Sequence, residues 1–194
     1  DAAYAEKAAR ISELTQDLSE LLPHLMPTLQ ERIRPEQAQQ QGQLAFHPPC
    51  TLQHGQQLKG GVETHMSALG FKVRVASNEA HLCCGSAGTY SVLQPTIATQ
   101  LRDRKLGHLS EMQPSAILSA NIGCITHLQS GTQVPVRHWV EVVDAVADGV
   151  AEGVGEGVAD GLVDGVAESA GMAAIGSNGT GRGADPAGEP SCDL

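Results

Sequence analysis

Aromatic residues and long apolar runs are both scarce in this chain of 194 residues. Aromatics make up 3% of the sequence, so a core must be built from leucine, valine, isoleucine and alanine. No apolar run approaches the roughly 20 residues needed to cross a bilayer. The opening residues, DAAYAEKAAR, lack the apolar segment of a secretory signal. A transmembrane or signal-bearing segment is therefore not expected in this sequence.

Basic residues are also few, and none of them cluster into a patch. The net charge is −10, of which −8 belongs to residues 146–194, with nine acids and the single base Arg182. That leaves −2 for residues 1–145. A nucleic-acid-binding face needs clustered positive charge, so no nucleic-acid partner is expected.

Several catalytic motifs are missing as well. The sequence has no nucleophile elbow, no phosphate loop and no paired carboxylates arranged for hydrolysis. The glycine-rich stretch GSAG at residues 85–88 lacks the lysine of a phosphate loop, and we interpret it as a tight turn. The pattern is not that of a hydrolase.

The acidic segment at residues 146–194 has a simple repeat. From Val146 to Ser169 the unit is approximately Val-Ala-Asp/Glu-Gly. A glycine at every fourth position costs a helix roughly 1 kcal/mol each relative to alanine. We predict a low-complexity tail rich in glycine, valine and alanine, and we expect no metal role for its cysteine, Cys192.

The rest of the chain alternates between strand and helix patterns. Apolar positions at helical spacing predict a helix over residues 3–22 that stops near Pro23, followed by a short helix and turn. Beyond it, strands are predicted at 43–46, 71–76, 115–121 and 134–138. The helices predicted between and after these strands include 54–69, 95–106 and the segment WVEVVDAVA at 139–147. This order predicts an α/β fold with a small parallel sheet flanked by helices, in a domain at 41–145 after an N-terminal helical segment at 1–40.

Four of the five cysteines follow the predicted strands. Cys50 comes after the first strand, the adjacent pair Cys83 and Cys84 after the second, and Cys124 after the third. Loops at the carboxyl ends of parallel strands emerge at one edge of the sheet, where open α/β folds bind ligands. We therefore expect the four thiols to converge there, with Gly85 letting the backbone come close to the group they hold. Without a secretion signal, clustered cysteines indicate a metal site more often than disulfides.

Histidines lie beside these cysteines. His127 is one helical turn after Cys124, and it could be a fifth ligand or could hydrogen-bond a ligand sulfur. His47, His54 and His81 flank the cysteines, and each is expected to be a local hydrogen-bond donor or a surface residue rather than a ligand.

The full spacing resembles a known family. A cysteine, 32 residues, Cys-Cys-Gly, 39 residues and Cys-x-x-His are similar to the signature of the cysteine-rich CCG domain. The words FHPPCTLQHGQ, HLCCGSAGTYSVLQP and SANIGCITHLQSGTQVPVRHWVEV further resemble the C-terminal part of the iron–sulfur subunits of glycolate oxidases. The similarity covers about residues 1–145. It implies that Cys50, Cys83, Cys84 and Cys124 bind an iron–sulfur cluster of the [4Fe–4S] type.

The resemblance also implies a function in electron transfer. Glycolate would be oxidised on a flavin in partner subunits, and electrons would pass through iron–sulfur centres to a membrane acceptor such as a quinone. This chain would be part of that oxidoreductase, inactive alone, cytoplasmic or bound peripherally at the inner membrane. Because the chain begins at Asp1 and lacks the ferredoxin-like cysteine runs and the first CCG repeat, we expect it to be a fragment of a longer polypeptide, or a processed one.

Two alternatives remain open at this stage. His127 stands where related CCG domains have the second cysteine of their final Cys-x-x-Cys motif. Three cysteines and one histidine are also a common set of zinc ligands. The chain could then be a zinc-stabilised structural or docking domain without redox activity. It could instead be a CCG subunit of a lactate-utilisation or heterodisulfide-reductase-type complex, although the quoted words favour glycolate oxidase.

Overall fold

The computed structural model of the protein describes residues 2–149. Four strands form its sheet, and they are β1 (Gln43–His47), β2 (Lys72–Val75), β3 (Ala116–Ser119) and β4 (Val136–His138). The α-helices of this part of the chain are α1 (Ala2–Leu14), α2 (Leu18–Arg32), α3 (Pro35–Gln40), α4 (Gly61–Ala68), α5 (Tyr90–Leu93), α6 (Pro95–Ser110), α7 (Ile122–Gln129) and α8 (Trp139–Ala147). A π-helical turn, Thr51–Gly55, follows β1.

All strand pairs in the sheet are parallel, and the strand order is β2-β1-β3-β4. Each strand is followed by a helix that leads to the next, as parallel pairing requires. The predicted α/β class with a small parallel sheet flanked by helices is confirmed.

Alternate residues of the two central strands face two separate apolar cores. Leu44 and Phe46 of β1, with Leu118 of β3, belong to the core shared with α2, α4 and α8. Ala45 and Ile117 point the other way, into the core shared with α6 and α7. Both faces of the sheet are therefore covered, which explains why these strands are almost wholly apolar.

The N-terminal helices differ from the prediction. The predicted helix over residues 3–22 is two helices, because Asp17 forms a capping box with Glu20 and starts α2 anew. Proline does not end α2 at residue 23, since the helix continues through Pro23 and Pro27. Buried Leu22 and Met26 pack into the core on this helix, and that packing outweighs the lost backbone hydrogen bonds. Helix α1 has no buried residue.

Other boundaries shift by several residues. The predicted helix 54–69 begins only at Gly61, since Gly60 before it has a left-handed φ of 78°. Helix α6 runs to Ser110, beyond the predicted end at 106. Trp139 is buried as the first residue of α8, and the predicted closing helix, 139–147, is confirmed.

Within residues 2–149, no helix is both long enough and apolar enough to cross a membrane. Most of the low-complexity segment predicted at 146–194, including Cys192, lies outside the described residues, which end at position 149. Its first two residues belong to α8, where Val146 is buried. The division of the chain at residues 40 and 145 stays a prediction.

Candidate metal centre

The site lies where the chain reverses its direction across the sheet. From β1 the chain moves outward to β2, then crosses back over to β3 and continues to β4. The carboxyl ends of β1 and β3 are therefore adjacent, while the connections that leave them diverge to opposite sides. A crevice opens at such a point in open parallel sheets, and the cysteine-bearing loops meet there.

All four cysteines predicted to converge line a single cavity of about 310 Å³. Cys84 and Cys124 are buried, and Cys50 and Cys83 are half-buried. None of the four forms a disulfide. The loops after β1, β2 and β3 each contribute at least one thiol, so three distant parts of the sequence build one sulfur-rich wall.

The sulfur atoms are close to one another. The Cys84 thiol donates to the Cys124 sulfur at a distance of 3.0 Å. The Cys83 sulfur accepts a hydrogen bond from the backbone N–H of Gly85 at 3.3 Å, and Cys50 interacts with Cys83. Thiol groups at such spacing, without a disulfide, form a donor set for a soft metal.

Local structure fixes the orientation of two of the thiols. Asn121 caps α7, and its side-chain oxygen accepts a hydrogen bond from the Cys124 N–H at 3.2 Å. Gly85 has a φ of 89°, and a Cβ atom there would overlap the carbonyl oxygen of Ala98 in α6. Only glycine therefore lets the loop after Cys84 lie against α6. The close approach predicted from the sequence, of the Gly85 backbone to the bound group, stays a prediction.

Three of the thiols, those of Cys50, Cys83 and Cys84, hold their protons more tightly than free cysteine does. A hydrogen bond with Cys124 raises the pKa of the Cys84 thiol to about 11, and one with Cys84 raises the pKa of Cys83. Burial, followed by repulsion from Cys83, raises the pKa of Cys50. These three thiols are neutral at pH 7 in the metal-free chain, so metal binding must displace protons from them.

Lys105 is a component of the site that sequence reasoning missed. Its side chain is 1% exposed, and its ammonium group donates to the carbonyl oxygens of Glu79 and Ala80, at 2.9 and 3.0 Å. The Glu79 carboxylate instead pairs with Arg104 and His108. Burial lowers the pKa of Lys105, and the thiols of Cys50 and Cys84, the Glu79 carboxylate and the thiol of Cys83 act in the opposite direction.

A buried ammonium that no carboxylate contacts directly is costly. The negative groups that act on the charge of Lys105 are the Glu79 carboxylate and, once they ionise, the thiols of Cys50, Cys84 and Cys83. In the sequence Lys105 stands among charged residues on a helix, RDRKLGH, and no motif distinguishes it from a solvent-exposed lysine.

His47 is placed differently from the expectation. It is 1% exposed, so it is not a surface residue, and neither ring nitrogen has a hydrogen-bond partner. Burial, with a contribution from Lys105, lowers the pKa of His47 to about 3. One of its ring nitrogens, the Cys84 sulfur and the Cys124 sulfur all lie within 4.8 Å of one another. The signal that could have revealed it is its position at the end of β1, three residues before Cys50.

The structure does not group His127 with the cysteines. His127 lines an adjoining cavity of about 420 Å³, and its Nε2 atom lies 3.2 Å from the carbonyl oxygen of Ala98. The other flanking histidines, His54 and His81, are exposed. A ligand role for His127 stays a prediction.

Known proteins are similar to this chain over the described region. Residues 44–129 match the family described as the cysteine-rich domain, CCG. The glycolate oxidase iron-sulfur subunit of Escherichia coli (strain K12) is 49% identical over 144 residues, covering 74% of this chain and 34% of that protein. Lactate utilization protein A of Geobacillus thermodenitrificans (strain NG80-2) is 28% identical, covering 74% of this chain and 60% of that protein. The chain thus spans about a third to three-fifths of the length of these relatives.

Replacing Gly85 by alanine tests whether the loop after Cys84 depends on its contact with α6. Gly88 is the matched control, because its φ of 61° is also left-handed but no atom lies within 4 Å of a Cβ built there. Both variants strain the backbone, and Gly85→Ala adds an overlap worth about 1–3 kcal/mol. We expect the free energy of unfolding, measured in denaturant, to fall further in Gly85→Ala than in Gly88→Ala. Equal losses would contradict the described packing of this loop.

Proposed function

We propose that the chain, whose residues 44–129 match the cysteine-rich CCG family, is an electron-transferring iron–sulfur part of a glycolate oxidase-type complex. Cys50, Cys83, Cys84 and Cys124 hold the cluster in this proposal. The convergence of four unpaired thiols on one cavity at the sheet edge carries it. The similarity to a glycolate oxidase iron-sulfur subunit supports iron and sulfide as the group bound.

The residues present fit such a group chemically. Thiolates are the usual protein ligands of iron–sulfur clusters, and the cavity offers four of them from three loops. Lys105 supplies a buried positive charge near a site that becomes strongly negative when its thiols ionise. When bound, a cluster accepts and releases single electrons.

The chain's own groups would tune and shield that centre. The N–H of Gly85 donates to the Cys83 sulfur, and hydrogen bonds to ligand sulfurs raise the reduction potential of such sites. The two deepest thiols, Cys84 and Cys124, are shielded from water by the apolar core that packs against α6 and α7. Half-buried Cys50 and Cys83 form the more exposed side, which is the side through which a redox partner would approach.

The larger complex is proposed by analogy with the relatives. Glycolate would be oxidised to glyoxylate on a flavin-containing partner subunit, and a [4Fe–4S] cluster here would pass electrons towards a quinone. The protein would be cytoplasmic or peripheral at the inner membrane and inactive without partners. Residues 1–40 would form a helical segment ahead of the cluster-binding domain at 41–145, and residues 146–194 a low-complexity tail.

The cluster assignment is tested by metal content in the intact chain and two cysteine variants purified without oxygen. We expect iron and sulfide in matching amounts, with broad visible absorbance that dithionite bleaches. Cys84→Ser should lose most of the iron because it removes a buried thiol of the set. Cys192→Ser is the matched control and should keep the full content. Stoichiometric zinc without sulfide would instead make the domain structural and would contradict the electron-transfer proposal.

The charge of Lys105 should set the reduction potential of the cluster. A nearby cation favours the more negative, reduced form, so Lys105→Met should lower the midpoint potential by on the order of tens of millivolts, measured by redox titration. Lys105→Arg should retain most of the wild-type value. Lys72→Met removes an exposed lysine at the amino end of β2 and serves as the control. A Lys105→Met potential no lower than that of Lys72→Met would contradict this role.

A further inference from the structure

His47 is the buried polar side chain at this site that the four-cysteine scheme leaves unexplained. It ends β1, is 1% exposed, and both of its ring nitrogens lack a hydrogen-bond partner. Buried polar atoms without partners carry a desolvation cost that no hydrogen bond offsets. Such a residue indicates a group that binds there and satisfies it.

The surroundings of His47 indicate what that group is. A ring nitrogen lies within 4.8 Å of both the Cys84 and Cys124 sulfurs, which are themselves 3.0 Å apart. Ligand atoms around a single tetrahedral metal centre, with bonds of about 2.0–2.3 Å, lie about 3.3–3.8 Å apart. Small shifts of these side chains would therefore bring the three atoms to the separations of ligands on one metal ion.

We propose that His47 is a nitrogen ligand of the metal centre, bound to the same metal ion as Cys84 or Cys124. This inference rests on the proposed function, and it adds a histidine to a set described by cysteines alone. A nitrogen ligand of this kind alters the electronic structure of the ion it binds and couples its nuclear spin to that ion.

The environment of His47 favours a ligand over a proton-carrying group. His47 is 1% exposed, and neither ring nitrogen has a hydrogen-bond partner that would stabilise a positive charge on the ring. A buried imidazole in this setting is neutral, and one of its nitrogens bears a free lone pair. A metal ion bound at this site would accept that lone pair, because neutral imidazole is a common metal ligand.

His47 fits this role better than His127, the histidine that the Cys-x-x-His spacing suggests. His127 lines the adjoining cavity, where its Nε2 atom already has the Ala98 carbonyl oxygen as a partner. His47 has no such partner and belongs to the group of three potential donors with Cys84 and Cys124. The fold therefore favours His47 as the histidine ligand, whereas the sequence spacing favours His127.

The test is pulsed electron paramagnetic resonance on the intact chain, with its histidines selectively labelled with ¹⁵N. The cluster is examined in its paramagnetic oxidation state after anaerobic purification. We expect a histidine nitrogen coupling of ligand strength in the wild type. It should vanish in His47→Gln and persist in His127→Gln. His54→Gln changes an exposed histidine in the turn after β1 and is the matched control.

Three outcomes would overturn the inference without touching the cluster assignment: no histidine coupling of ligand strength, a coupling that survives in His47→Gln, or a coupling lost in His127→Gln. The wild-type and His127→Gln spectra decide the question even if His47→Gln fails to fold. A weak coupling, typical of a hydrogen bond to sulfur, also counts against a ligand role. Absence of iron from the wild type would instead refute the proposed function, and the inference with it.

Discussion

The reversal of chain direction at β1 is the constraint on which the site depends. Because the strands are parallel, the loops after β1, β2 and β3 leave the same edge of the sheet. Because β1 lies between β2 and β3, the connection from β2 to β3 crosses β1. Cys84 thereby reaches a position 3.0 Å from Cys124, although 39 residues separate them in the sequence. The adjacent cysteines make sense in this setting, because one loop provides both a deep thiol and a more exposed one.

Polar groups placed in an apolar interior define this edge of the sheet. The thiols of Cys84 and Cys124 belong to the core that packs against α6 and α7, while His47 and Lys105 are both 1% exposed. Metal-free, this arrangement leaves a neutral imidazole without hydrogen-bond partners and a buried ammonium whose hydrogen-bond partners are two backbone carbonyl oxygens. A negatively charged metal–thiolate group would bind the imidazole of His47 and balance the charge of Lys105. We therefore interpret the thiols, His47 and Lys105 as parts of one centre.

The sequence was sufficient for the fold class and for the grouping of the cysteines. Strand patterns at the four correct places predicted a parallel sheet, and the carboxyl-edge rule for such sheets placed Cys50, Cys83, Cys84 and Cys124 together. Helix boundaries were less predictable, since the capping box of Asp17 and the burial of Leu22 override the usual effect of Pro23. Tertiary packing decides such cases, and local propensity does not.

The polar neighbours of the cysteines could not be predicted in the same way. His47 and Lys105 are ordinary residues in ordinary patterns, and only the fold shows that both are buried beside the thiols. The spacing of Cys124 and His127 suggested a ligand pair, yet one helical turn directs His127 towards Ala98 and a neighbouring cavity. Sequence spacing along a helix gives candidates, while three-dimensional convergence selects among them.

X-ray absorption of the anaerobically purified intact chain, at the iron and zinc edges, tests most directly whether the cysteines hold an iron–sulfur cluster. We expect iron surrounded mainly by sulfur, with a second shell of iron neighbours that only a multinuclear cluster produces. A zinc edge with four sulfur or nitrogen ligands, and no iron neighbours, would contradict the assignment and leave a structural metal domain in its place.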